Sequence, residues 1–210
     1  MIDDAEKMRQ VQLEPHNPSW SAQFQEETLS IRTILGINCD NIYHIGSTSI
    51  PNIYAKPVID ILVVVNNLST VDVLHPAFER LGYACMGKYG IPGRRYYWKD
   101  KIQHTHHIHL FKKDHPEIAR YLAFKEYMLQ HPNTAQAYSW IKRCLAKQFP
   151  TDIEAYVNGK ESFVRMINHQ TGCAQKDQQE ASDAIRLEPH HPHWIKYAAA
   201  EIEAIQKSIG

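Results

Sequence analysis

Two short stretches of this chain hold residues whose types and spacing could do chemistry. The first is Gly46-Ser47-Thr48-Ser49, which follows the apolar strand-like stretch Tyr43-His44-Ile45; the second is Asp60, set inside the run Val58-Ile-Asp-Ile-Leu-Val-Val-Val65. A glycine lets the backbone turn tightly and approach a ligand closely. The hydroxyls and backbone N–H groups of Ser47, Thr48 and Ser49 can hold phosphate oxygens, and Asp60 can offer a hard oxygen to a cation such as magnesium. On the residues alone, a plain turn between two strands with one exposed acid is the competing reading.

A second group of side chains lies in His104-Thr-His-His-Ile-His-Leu-Phe111. Strand alternation places His107 and His109 on one face and His104, His106, Ile108 and Leu110 on the other. With Asp60, that histidine pair would suit a transition metal or could donate to phosphate; an idle surface cluster or imidazoles satisfied in the core are the alternatives. His44 has the same standing. Among the basic residues, Lys56 lies between the turn and Asp60, Arg94 and Arg95 follow the loop of Gly87, Gly90 and Gly93, and Lys142 and Lys160 come from helical segments. Lys56 and Arg95 are the preferred phosphate contacts, arginine for its bidentate fork and lysine as a point charge. Ser47 and Ser49 near His44 lack a Gly-x-Ser-x-Gly elbow, so phosphate contact suits them better than nucleophilic attack.

The runs His44-Ile-Gly-Ser-Thr-Ser-Ile-Pro51, Lys56-Pro-Val-Ile-Asp-Ile-Leu-Val63 and His106-His-Ile-His-Leu110 resemble the GrpB family, a branch of the polymerase β-like nucleotidyltransferase superfamily. Tyr138-Ser-Trp-Ile-Lys142 and Tyr156-Val-Asn-Gly-Lys160 resemble that family's helical half, and the likeness runs over roughly residues 11 to 168. The resemblance implies an α/β (α+β) fold, a mixed sheet flanked by helices with a C-terminal helical bundle. It also implies catalysis through two magnesium ions held by clustered carboxylates. The superfamily pattern is acid, apolar residue, acid on one strand; here Val58-Ile59-Asp60 keeps the second acid, and Val58 stands where the other would be. A third acid comes from a neighbouring strand, a position His107 or His109 could take. The implied site therefore has Asp60, His107 and His109 as catalytic and metal-binding residues, with Gly46, Ser47, Thr48, Ser49, Lys56, Arg95 and Lys142 around the ligand. The implied function is binding of a nucleotide or phosphorylated small molecule with a divalent metal, magnesium, manganese or a transition metal, and transfer of a nucleotidyl group. A non-catalytic nucleotide-sensing or protein-interaction module and a metal-dependent hydrolase are the alternatives.

Composition narrows the partners. Lys and Arg together number 23 and Asp and Glu 23, so no global field favours nucleic acid or an anionic membrane. The run Val58 to Val65 is interrupted by Asp60 and too short to span a bilayer, and the start Met1-Ile-Asp-Asp is no signal peptide. A soluble, cytoplasmic protein without a membrane partner is expected. Cys39, Cys85, Cys144 and Cys173 show no Cys-x-x-Cys spacing and so suggest neither a zinc site nor a redox pair.

The elements that must position these residues follow from periodicity. Pro18 in the first turn and Ser19 as cap open a helix with Trp20, Phe24, Leu29, Ile31, Ile34 and Leu35 on its buried face and Gly36 at its end. Strands are expected at 41–45 and 56–65, the latter covered on both faces, then a helix over 69–81 and a hairpin over 94–99 and 102–111. Helices over 116–131, 134–148 and 151–168 complete a domain spanning 11–169. Residues 170–184 read as a linker. Residues 185–210 restart the domain, since Ile185-Arg-Leu-Glu-Pro-His-His-Pro-His-Trp194 repeats Val11-Gln-Leu-Glu-Pro-His-Asn-Pro-Ser-Trp20. That apolar-faced segment would dock on the domain or pair two copies into a homodimer.

Overall fold

The computed structural model describes residues 10–100 and 104–173. Helix α1 (Ser19–Leu35) follows Pro18, and the Ser19 N–H is held by the Asn17 side chain at 3.0 Å, so Ser19 does not cap it. Leu29, expected on the buried face, is 69% exposed because it lies off the stripe of Trp20, Phe24, Ile31 and Leu35. The helix ends at Gly36, whose φ of +52° is open to glycine. Strand β1 (Cys39–Ile45) runs antiparallel to β2 (Ile59–Val65), with Ile45 registered on Asp60. In β2 every residue except Asp60 is buried, as an apolar run in a central strand requires. Helices α2 (Leu68–Val73) and α3 (His75–Arg80) replace the single helix expected over 69–81. Pro76 sits in the first turn of α3; it cannot continue α2, so the chain restarts there.

Strands β3 (Tyr83–Cys85), β4 (Arg95–Lys99) and β5 (His106–Lys112) complete a five-stranded mixed sheet of order β1-β2-β5-β4-β3. β5 lies parallel to β2, registering His107 on Asp60 and His109 on Leu62. β4 is antiparallel to β5 and registers Trp98 on His107 and Tyr96 on His109. Helices α4 (Pro116–Gln130), α5 (Pro132–Gln148) and α6 (Ile153–Gln170) form the expected bundle.

The two faces of the sheet are packed differently. On one, Ile59, Ile61, Val63, Val65, Tyr97, Ile108 and Leu110 pack against Trp20, Phe24 and Ile31 of α1 and Val71 and Phe78 of α2 and α3. Each such side chain contributes about 1.5–3 kcal/mol by leaving water. On the other, Ile45, Leu62 and Phe111 meet Ile118, Tyr121 and Leu122 of α4. Asp60, His107 and His109 belong to this second face, so α4 and the bundle bound it.

The connection from β1 to β2 is fastened to the bundle. Ile50 and Ile53 enter the cluster of Tyr138, Ile141, Leu145, Tyr156 and Phe163. Ser139 Oγ accepts the Tyr54 N–H at 2.8 Å, and Gln136 donates to the Asn52 carbonyl at 2.7 Å. α6 approaches α5 closely at Gly159, where an added Cβ would lie 3.0 Å from Leu145 Cδ1. Among the described residues no helix is long and apolar enough to cross a membrane. The repeat at 185–210 and the linker beyond Cys173 lie outside the described residues.

Candidate functional site

The site is organised around the Asp60 carboxylate. Gly46 adopts φ +69° and ψ −174°, and an added Cβ there would stand 3.0 Å from Asp60 Cβ and Cγ, with Oδ2 nearer still. The Gly-Ser turn therefore lies directly on the acid. The other oxygen, Oδ1, lies 3.1 Å from His107 Nδ1 and 3.8 Å from His109 Nε2. Burial alone would raise the carboxyl pKa, but the hydrogen bonds and charges of His107 and His109 outweigh it and hold Asp60 well below the usual carboxylate range.

The partners of each imidazole assign its proton. Arg94 Nη1, which can only donate, lies 3.5 Å from His109 Nδ1, and the Tyr121 hydroxyl lies 3.4 Å from the same atom. Nδ1 is thus the acceptor and Nε2–H faces Asp60. Burial pushes the His109 pKa down, partly offset by Asp60. His107 presents Nδ1–H to Asp60, so its Nε2 accepts from His104 Nδ1 at 3.2 Å. His104 was expected on the opposite face. It precedes β5 with φ +48°, so strand alternation does not govern it, and its ring lies 4.3 Å from that of Trp98, with only 4% of the residue exposed.

Asp60, His107 and His109 converge on one oxygen, His107 hydrogen-bonded to it and His109 facing it at 3.8 Å; both N–H groups aim at that oxygen, which leaves no shared point for their lone pairs. Among the described residues no group of three or more His, Cys, Asp or Glu side chains is placed to hold a metal ion. Val58, at the place of the missing carboxylate, is apolar and buried. This donor set does not fit a two-magnesium clamp.

The three hydroxyls of the turn have separate roles. Thr48, buried, donates to the Val58 carbonyl at 3.2 Å and accepts from His44 Nε2 at 3.0 Å, so it ties the turn to the strand. His44 stacks on Phe24, and burial followed by Lys125 pushes its pKa down to about 4. Ser49 Oγ donates to the Gly46 carbonyl at 2.8 Å. Ser47 faces Tyr138 of the helical half, whose hydroxyl pKa is driven up mainly by burial and lowered in part by Ser47.

Basic side chains surround this turn. Lys142 donates to the Tyr54 carbonyl and lies 4.7 Å from the Tyr138 ring centroid; burial, reinforced by Lys160, pushes its pKa down to about 7. It latches the β1–β2 connection to α5. Lys160 lies over Tyr156 at 4.5 Å, and burial lowers its pKa to about 8 against the pull of Asp60. Lys125 donates to the His44 carbonyl at 2.8 Å. Lys56 is half-buried within the β1–β2 connection. Arg95 is not part of the site: it is registered on Leu110, which puts it on the α1 face, and it pairs bidentately with Asp72 at 2.5 and 2.7 Å. Arg94, one residue earlier and buried, takes the place expected for it, donating to the Lys88 carbonyl at 3.0 Å and to that of Tyr89.

Tyr138, Tyr121 and the role of His104 were not anticipated. Tyr138 had a signal, since its spacing of four from Lys142 puts both on one helix face; Tyr121 had none beyond the helical pattern of α4.

The sequence model of the GrpB protein family matches residues 10–170 of this chain. The crystal structure of conserved protein GrpB from Enterococcus faecalis superposes with a TM-score of 0.74 at 42% identity, covering 76% of this chain and 96% of that one. The UPF0157 protein YqkA of Bacillus subtilis is 36% identical over 177 residues, 84% of this chain and 52% of YqkA, so the chain spans about half of that relative's length. The glutamate-rich protein GrpB of Alkalihalophilus pseudofirmus is 30% identical over 163 residues, 75% of this chain and 94% of that protein. With its strands, turn and helical half all inside the matched span, the chain belongs to the GrpB family.

Proposed function

We propose that this chain binds a nucleotide or other phosphorylated small molecule between the sheet and the helical bundle, its phosphate held by Ser47, Tyr138 and Lys160 beside Asp60. One observation carries this reading. Among the described residues the lysine and arginine ion pairs belong to Arg95, Lys99, Lys113, Arg120 and Arg165, whereas Arg94, Lys125, Lys142 and Lys160 meet carbonyls, rings or an imidazole. Of these, Lys160 feels the Asp60 charge and Lys142 feels Lys160. A recessed ammonium without a counter-charge is costly, which is why the pKa values of Lys142 and Lys160 fall to about 7 and about 8. An anion placed among them would restore the charged forms and supply the missing acceptors.

The Gly-Ser turn seated on the acid strand is the arrangement the nucleotidyltransferase resemblance implies, and it supports a nucleotide as the phosphorylated partner. Val58 at the other acid position favours sensing over transfer, because one carboxylate cannot clamp two magnesium ions. A thermal-shift screen of nucleotides and pyrophosphate, each with and without magnesium or manganese, tests the proposal. Stabilisation is expected in the wild type and should be lost in Lys160→Ala. A wild type that no phosphorylated compound stabilises, or an equal shift in Lys160→Ala, would overturn it.

A further inference from the structure

We infer that Tyr89 is a stacking platform for a nucleobase, which would make the ligand of the proposed phosphate site a nucleotide rather than a sugar phosphate or inorganic anion. The inference rests on that phosphate site. Tyr89 is 53% exposed, whereas Tyr96 behind it is buried. Its ring stacks on Tyr96 with centroids 5.1 Å apart and planes inclined by 25°, and meets Trp98 edge-on at 6.1 Å. Tyr96 in turn contacts the rings of His109 at 5.0 Å and His107 at 5.5 Å, the two imidazoles that face Asp60. A continuous run of ring contacts therefore links the exposed ring to the imidazoles beside the carboxylate.

The ring is held in place rather than left to wander. Tyr89 has φ +41°, a left-handed backbone that a bulky residue rarely adopts, between Gly87 and Gly90, which share the positive φ. The buried Arg94 guanidinium donates to the carbonyls of both Lys88 and Tyr89, and Tyr96 N–H bonds the Gly87 carbonyl at 2.9 Å. Arg94 also touches His109, so the same side chain fixes the loop and orients the site. An aromatic residue kept at a backbone position better suited to glycine, pinned from below and exposed above, fits recognition better than packing.

Calorimetric titration of wild type, Tyr89→Ala and Tyr89→Phe with the four ribonucleoside 5′-monophosphates and with ribose 5-phosphate tests this. Stacking on an aromatic side chain is expected to make at least one nucleotide bind the wild type about tenfold or more tighter than ribose 5-phosphate. Tyr89→Ala should erase that margin without changing ribose 5-phosphate binding, and Tyr89→Phe should keep it. Equal binding of nucleotides and ribose 5-phosphate by the wild type, or a margin that survives in Tyr89→Ala, overturns the platform while leaving the phosphate site standing. Binding of none of these compounds overturns both.

Discussion

Gly46→Ala should be among the most damaging small substitutions in the domain, and its cost can be worked from two separate contributions. The backbone at φ +69° and ψ −174° is a region essentially reserved for glycine, and holding another residue there costs about 1–3 kcal/mol. The new Cβ would also crowd Asp60, at 3.0 Å from its Cβ and Cγ and nearer to Oδ2; forcing an extra carbon into a packed position adds about 1–3 kcal/mol. Together these give roughly 2–6 kcal/mol, or about 5–20 °C in Tm for a chain of this size. Gly36→Ala isolates the first contribution, because Gly36 has φ +52° and ψ −130° but nothing within 4 Å of its added Cβ. Thermal unfolding of the two variants side by side should show Gly46→Ala melting clearly below Gly36→Ala. If both melt together, the turn does not rest on Asp60, and the shared site loses its foundation.

Three further outcomes follow from the same geometry. His44, neutral and half-buried with its pKa near 4 against an ordinary 6.5, supports stability fully above pH 6.5; that support fades as pH falls toward 4, by roughly 3 kcal/mol at most. Denaturant midpoints measured across this window should therefore fall less steeply for His44→Gln than for the wild type. Because Lys142 and Lys160 titrate near 7 and 8, binding a phosphate at pH 8.5 should draw protons onto them; calorimetry in buffers of different ionisation enthalpy should report net proton uptake, and none would argue against both lysines facing the ligand. Arg94→Lys keeps the charge but loses the planar fork that grips the Lys88 and Tyr89 carbonyls, so hydrogen exchange at 87–93 should quicken, with a stability loss of about 1–3 kcal/mol.

What the sequence allowed one to read depended on how local the cause was. The unbroken apolar run of β2 announced a strand covered on both faces, and the glycine before Ser47 announced a close backbone approach, since both depend on neighbouring residues. Asp60 meeting His107 required a parallel pairing between distant strands; periodicity put the histidines on one side but could not say beside what. Arg95 and Arg94 show the limit at single-residue resolution. Both follow the same loop, and β4 starting at Arg95 sends that residue to the Asp72 side while Arg94 swings to His109. His104 escaped the alternation rule because its backbone turns left-handed before β5 begins. The break at Leu74 was legible in Pro76, whose ring cannot continue a helix, and an unbroken helix over 69–81 gave that residue too little weight.

The central claim, that the Gly46–Ser47 turn, Asp60 and Lys160 together receive a phosphorylated ligand, is tested most directly by a crystal structure of the wild-type protein bound to ADP. The expected result is a phosphate group within hydrogen-bonding reach of Ser47 Oγ and Lys160 Nζ, on the sheet face that carries Asp60 and His107. A nucleotide whose phosphates lie elsewhere, for instance on the opposite face near Arg95, would contradict it.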